Sequence, residues 1–197
     1  MKKVLILGPG YSQIVGLLGG FEVETTEQPI TRRDISAIRP DLILSFGYRY
    51  RVSSDVIAAV AGRVLNMHIS LLPWNRGADP NFWSWVEGTP KGVTVHWMDA
   101  KLDTGPILAQ EEVYLDPQDS LAETHSKLQD EICDLLAREW HRISSGEAPS
   151  QPQGTYAGTY HNLVDKEPHM HVLQNGWDTK CVVLQEYGIR AGLRIVE

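Results

Sequence analysis

Asn66-Met67-His68-Ile69-Ser70-Leu71-Leu72-Pro73 is the stretch on which the fold and its chemistry turn. It follows the apolar-rich run Ala58-Ala59-Val60-Ala61-Gly62-Arg63-Val64-Leu65, which reads as the end of a helix leading into a strand. On a β-strand successive side chains alternate faces, so Asn66 and His68 share one face and Met67 takes the other. Pro73 stops regular pairing. A donor amide and a titratable ring side by side at a strand end can serve an acyl-type transfer. They can equally be a polar pair tying down a loop, and spacing alone leaves both readings open.

Upstream, the chain alternates strand and helix signals. Val4-Leu5-Ile6-Leu7 is a continuous apolar run bounded by Gly8-Pro9-Gly10, the pattern of a buried parallel strand closed by a tight turn. Gly8-x-Gly10 is half of a dinucleotide fingerprint; the third glycine is missing and Pro9 intrudes, so a turn is the better reading than a phosphate cradle. A short helix is expected over Ser12–Leu18 and a strand over Phe21–Glu24. Thr31, with Asp34 three residues on, predicts a capped helix to Ile38, and Pro40 follows as a stop. Leu42–Phe46 is the next buried strand. It opens into Gly47-Tyr48-Arg49-Tyr50-Arg51, an aromatic and basic loop suited to a ligand wall. A helix from Ser54 to Ala61 precedes the Asn66 strand. The order β-α-β-α-β-α-β from Lys3 to His68 predicts a mostly parallel twisted sheet with helices on both faces.

Downstream the texture changes. Trp74–Asn81 is polar and turn-rich, and Phe82, Trp83 and Trp85 suggest a short helix with a buried aromatic side. Gly92-Val93-Thr94-Val95-His96-Trp97-Met98 alternates as a strand, with His96 on the face of Thr94 and Met98, where it reads as a hydrogen-bonded core residue. Asp99–Gly105 is a loop, and Ile107–Tyr114 returns as a strand. Ser120 and Glu123 have capping-box spacing and open the longest helix, whose stripe of Leu121, Leu128, Ile132, Leu135, Leu136 and Trp140 runs to about Ile143. A break over 144–153 suggests a main domain at 1–145 and a linker with a short, less regular C-terminal extension at 146–197.

Composition bounds what such a chain does. At 197 residues, 42% hydrophobic and 22% charged, it has the make-up of an ordinary globular domain able to bury its own core. A formal net charge of -7 disfavours a nucleic-acid or anionic-membrane partner. Cys133 and Cys181 are the only cysteines, too few for a disulfide framework or a cysteine-based zinc site. The apolar run after the N-terminal lysines is too short for a signal sequence, and no stretch has transmembrane length. The expected location is the cytoplasm.

With these pieces in place, the chain resembles the folate-dependent formyltransferase family. The resemblance rests on Asn66-x-His68-x-Ser70-Leu71-Leu72-Pro73, the Gly77 loop, Gly92-Val93-Thr94-Val95-His96, and Leu102-Asp103-Thr104-Gly105-Pro106-Ile107, in matching order over about Leu42–Tyr114. It implies a Rossmann-like formyltransferase fold, N10-formyltetrahydrofolate as donor and an amine as acceptor, with no metal. The family's catalytic residues carry over to Asn66, His68 and Asp103. In that chemistry the amine attacks the formyl carbon and negative charge collects on its oxygen. Asn66 would donate to that oxyanion, an interaction whose loss elsewhere costs about 2.7–4 kcal/mol. His68 would take the amine proton or, protonated, hold the oxyanion, and Asp103 would orient the ring and relay protons. The resemblance also places the folate against Gly47, Tyr48, Arg49, Tyr50, Leu71, Asp99 and Leu102, and the amine substrate against Gly10, Tyr11, Arg76 and Asn81.

Leu72-Pro73-Trp74-Asn75-Arg76-Gly77-Ala78-Asp79-Pro80-Asn81 is most similar to the sugar N-formyltransferases, which act on amino-deoxy sugars carried on dTDP or GDP. The expected partner is therefore a nucleotide sugar, with a homodimer left open. Glycinamide ribonucleotide enzymes are an alternative, though their Gly-, Asn- and Ser-rich phosphate loop is only partly matched by Gly8–Ser12. Methionyl-tRNA enzymes share an Arg76-Gly77-Ala78-like loop but carry a basic β-barrel that this acidic chain does not suggest. A formyltetrahydrofolate hydrolase and a non-catalytic folate-binding scaffold complete the alternatives. A Ser70–His68–Asp103 hydrolase lacks the nucleophile-elbow motif. His161, His169 and His171 lie in a polar tail without recognised metal-ligand spacing and read as solvated histidines.

Overall fold

The computed structural model describes residues 2–154 and 158–195. They form two compact units, each assembled from three separate stretches of chain: Met1–His68, Val95–Ala109 and Cys133–Pro152 in the first, and Ile69–Thr94, Gln110–Ile132 and Gln153–Glu197 in the second. The expected division after residue 145 is not the division between these units, because Cys133–Pro152 stays with the first.

The first unit is built on parallel pairing. β1 (Lys3–Leu7) pairs in parallel with β2 (Glu22–Thr26) and with β3 (Leu42–Ser45), and β3 pairs in parallel with β4 (Val64–His68). Helices α1 (Ser12–Leu17), α2 (Arg32–Ile38) and α3 (Ser54–Ala59) connect them, so the strand and helix order read from the sequence holds. β6 (Gly92–Trp97) and β7 (Ile107–Glu112) extend the sheet, whose order is β2-β1-β3-β4-β6-β7. Leu5, Leu7, Ile43 and Val64 of the strands pack against Ile35, Val56 and Val60 of the helices, each buried. This explains the unbroken apolar runs: strands covered on both faces have no polar face to alternate with.

Local chemistry sets the element ends. At α2 the Thr31 hydroxyl accepts from the Asp34 amide while the Asp34 carboxylate accepts from the Thr31 amide, the reciprocal capping box that the spacing predicts. The Thr31 hydroxyl also donates to the Asp34 carboxylate at 2.7 Å, and this bond, with that from the Thr31 amide, holds the Asp34 carboxyl below its usual range. Gly8 has φ +129°, and a β-carbon there would meet the Phe46 carbonyl at 1.9 Å. The glycine thus allows the ends of β1 and β3 to approach closely, which supports the turn reading of Gly8-Pro9-Gly10.

The second unit centres on α4 (Pro80–Glu87), packed on α6 (Cys181–Arg190). Sequence analysis expects one buried side on α4; every residue from Asn81 to Glu87 is buried. The short strands β5 (Arg76–Gly77) and β8 (Tyr160–His161) pair in parallel. The tail is more regular than its sequence suggests, with a 3₁₀ helix over Leu163–Val172 and then α6. Helix α5 (Leu121–Ser145) opens on the predicted Ser120–Glu123 capping box and contributes residues to both units.

His171 is exposed, as expected, but His161 and His169 are partly buried and bonded. His161 stacks on Trp83 at 3.7 Å between ring centroids and donates from Nε2 to Glu87 Oε1 at 2.7 Å. Glu87 is 6% exposed and accepts a second bond from the Asn75 amide, so burial is matched by hydrogen bonding. His169 bonds the Tyr187 hydroxyl. The acidic partner of His161 comes from a distant helix, which spacing within the tail does not reveal.

Candidate active site

The last two polar positions of β4 carry Asn66 and His68, and β3 stands beside them with Ser45 opposite Asn66. On the other side β6 is tied to β4 by the Met98 amide donating to the Val64 carbonyl. This strand order brings His96 of β6 alongside Asn66. The loop after β6 supplies Asp103. It folds on Asp99, whose Oδ1 accepts from the Lys101 amide at 3.0 Å and the Thr104 hydroxyl at 2.7 Å. A β-carbon on Gly105 would lie 1.8 Å from the Trp97 carbonyl, so only glycine lets the loop return across the strand end. Asp103 itself has φ +53°, a left-handed conformation that Asp tolerates better than most residues.

Four polar side chains meet there. The Asn66 amide nitrogen donates to Asp103 Oδ1 at 3.1 Å and lies 3.1 Å from His96 Nε2. His68 Nδ1 is 3.7 Å from Asp103 Oδ2, and His96 Nε2 is 3.7 Å from Asp103 Oδ1. Exposure is 8% for His68, 8% for Asp103 and nil for His96. The three residues carried over from the family resemblance thus converge. His96, read from the sequence as a core residue, is a fourth member. Its alternation within β6 does not tell a site face from a core face, and the Gly92–His96 motif ends on it without giving it a role.

The Asn66 amide nitrogen is thus engaged within the protein, toward His96 and toward Asp103.

The expected folate-wall residues divide between the units. Tyr48 and Tyr50 meet edge-on at 5.5 Å, and the Tyr48 hydroxyl donates to the Gln28 carbonyl at 2.8 Å. Burial of Tyr48 pushes its pKa up. Arg51 donates to the Ala100 carbonyl at 2.9 Å, linking the loop of Gly47, Tyr48, Arg49 and Tyr50 to the loop of Asp99 and Leu102. Arg49 and Tyr50 are exposed, and Leu102 is 43% exposed. Sequence reasoning did not single out Arg51, the residue that joins these loops. Leu71 belongs to the second unit, where it lies against Gly92.

Of the expected substrate contacts, Gly10 and Tyr11 lie in the first unit, with the Tyr11 ring 4.7 Å from Phe46 and its hydroxyl beside Gly47. Arg76 and Asn81 lie in the second. Arg76 donates through Nε and Nη2 to Gln153 Oε1, at 3.1 and 2.6 Å. Asn81 is 3% exposed, and its amide donates to the Leu121 carbonyl and the Thr124 hydroxyl. The Asn81 Oδ1 is buried without a hydrogen-bond partner among the described residues. Among the described residues no group of three or more His, Cys, Asp and Glu side chains is disposed to hold a metal ion.

Known proteins share the fold. The formyl transferase family model matches residues 17–138. The formyltransferase PseJ from Anoxybacillus kamchatkensis, whose structure is a complex with UDP-4,6-dideoxy-4-formamido-L-AltNAc and tetrahydrofolate, is 38% identical. That match covers 94% of this chain and 99% of PseJ, with a TM-score of 0.89. A candidate sugar N-formyltransferase from Mycobacterium tuberculosis is 27% identical over 85% of this chain and 78% of its own, at a TM-score of 0.74. A 4-N formyltransferase from Francisella tularensis shares the fold at 19% identity and a TM-score of 0.75, over 95% of this chain and 87% of its own. The chain belongs to the formyl transferase family. It is an enzyme of one-carbon group transfer with the α/β fold of that family. No helix among the described residues is long and apolar enough to cross a membrane.

Proposed function

We propose that this formyltransferase carries the formyl group of N10-formyltetrahydrofolate to the 4-amino group of a UDP-linked 4-amino-4,6-dideoxy sugar. One observation carries the substrate choice: the 38% identical PseJ holds UDP-4,6-dideoxy-4-formamido-L-AltNAc together with tetrahydrofolate, the two products of that transfer. The nucleotide expectation accordingly moves from dTDP or GDP to UDP.

The four-residue centre suits the reaction. The neutral sugar amine attacks the formyl carbon and forms the new C–N bond, placing negative charge on the formyl oxygen. His68 accepts the proton that the amine loses, and Asp103, 3.7 Å from its Nδ1, stabilises the resulting imidazolium. The bond from carbon to N10 then breaks, N10 receives the proton, and formamide and tetrahydrofolate leave. The linked loops of Gly47–Tyr50 and Asp99–Leu102 hold the folate, and Tyr11, with Gly10, meets the acceptor.

A homodimer belongs to the same reading, supported by exposed apolar side chains of the second unit, Leu163 at 74%, Val164 at 61% and Ile189 at 64%. So does a cytoplasmic location, where the buried free thiols of Cys133 and Cys181 stay reduced. The test is to incubate the protein with N10-formyltetrahydrofolate and the UDP amino sugar and follow the sugar by NMR. A formamide on the 4-nitrogen is expected. Free formate with an unchanged sugar would overturn the proposal.

A further inference from the structure

We infer that His96 is a positioning residue for formyl transfer, which sets by its tautomer which edge of the Asn66 amide faces the reactants. His96 Nδ1 lies 2.8 Å from the Trp97 carbonyl oxygen, which can only accept, so Nδ1 carries the proton. His96 Nε2 then presents a lone pair, and the group 3.1 Å away must be a donor, the Asn66 Nδ2. The same nitrogen donates its other proton to Asp103 Oδ1 at 3.1 Å. Turning the amide over would set its oxygen against the His96 lone pair and the Asp103 carboxylate together. Two acceptor-to-acceptor contacts in a site where His96 is wholly buried have no water to relieve them.

The arrangement therefore leaves the carbonyl edge of Asn66 for the substrate. That edge accepts a hydrogen bond from an N–H of the attacking amine and aims the nitrogen lone pair at the formyl carbon. Stabilisation of the formyl oxygen falls to His68. Neither step calls for a proton from His96, which acts entirely through Asn66.

This inference rests on formyl transfer at the Asn66–His68–Asp103 centre, whichever amine is the acceptor. Its test uses two variants and one spectrum. His96→Gln puts an amide oxygen near the Nε2 position, restoring an acceptor for Asn66, and retains kcat to within about fivefold. His96→Leu removes the acceptor and lowers kcat on the order of 100-fold, the cost typical of small misplacement, with KM for donor and amine within about threefold. Histidine ¹⁵N NMR of the wild type, without substrates, shows the Nδ1-protonated tautomer of His96. A His96→Leu enzyme of near wild-type kcat, equal losses in two folded variants, or the Nε2-protonated tautomer would each overturn the inference. Should His96→Leu fail to fold, the spectrum and the Gln variant still decide. A wrong acceptor shows instead as a wild type without turnover, which leaves the tautomer measurement untouched.

Discussion

In the proposed mechanism the chemistry depends most on His68 and Asp103. His68→Ala removes the proton acceptor and lowers kcat by about 10²–10⁴-fold, while circular dichroism and folate affinity stay close to wild type; an active variant would remove His68 from the mechanism. Lys91 gives a separate prediction about stability. Burial, and secondarily repulsion from Arg194, lowers its pKa to about 8, although its Nζ donates to the Ser84 and Thr89 carbonyls and sits over the Trp85 ring. Between about pH 8 and 10.5 the unfolded chain keeps a proton that the folded chain has released, so this group makes stability rise with pH across that window. In denaturant melts the stability of wild type minus that of Lys91→Met climbs over the same window, by up to about 3 kcal/mol. A flat difference would show that the charged lysine is fully compensated. At this scale the candidate residues Asn66, His68 and Asp103 were legible through the family resemblance, since spacing alone left an amide and a ring at a strand end. His96 was not, because its neighbour Asn66 is brought to it by the order β4-β6 of the sheet, which no local pattern encodes.

Elements were legible where their ends carry chemistry. The Thr31–Asp34 and Ser120–Glu123 boxes mark the starts of α2 and α5 in both sequence and structure. Ser120→Ala removes the acceptor of the Glu123 amide, and a loss of about 1 kcal/mol in chemical unfolding is expected. Helix α6 escaped notice because its N-cap, Lys180, makes no side-chain capping bond and its environment comes from α4. Gly188 of α6 lies where a β-carbon would stand 1.9 Å from the Val86 carbonyl of α4. Gly188→Ala therefore forces the two helices apart, at about 1–3 kcal/mol and a lowered Tm. An unchanged Tm would mean that the helices part without loss of packing.

For the whole molecule, a family resemblance carried by the stretch from Leu42 to Tyr114 foretold the fold, whereas the division into units was hidden. β6, β7 and α5 each contribute residues to both units, so no linker composition marks a boundary, and the polar break after residue 145 suggested a different one. The claim that this formyltransferase serves a UDP-linked amino sugar is tested most directly by competition. N10-formyltetrahydrofolate, the UDP-4-amino-4,6-dideoxy sugar, its dTDP counterpart and glycinamide ribonucleotide are mixed in one tube with the enzyme, and the formylated products are counted by mass spectrometry. The UDP sugar should take the formyl group well ahead of the other two amines, and His68→Ala should transfer it at least about 100-fold more slowly. Preferential formylation of glycinamide ribonucleotide, or of the dTDP sugar, would contradict it.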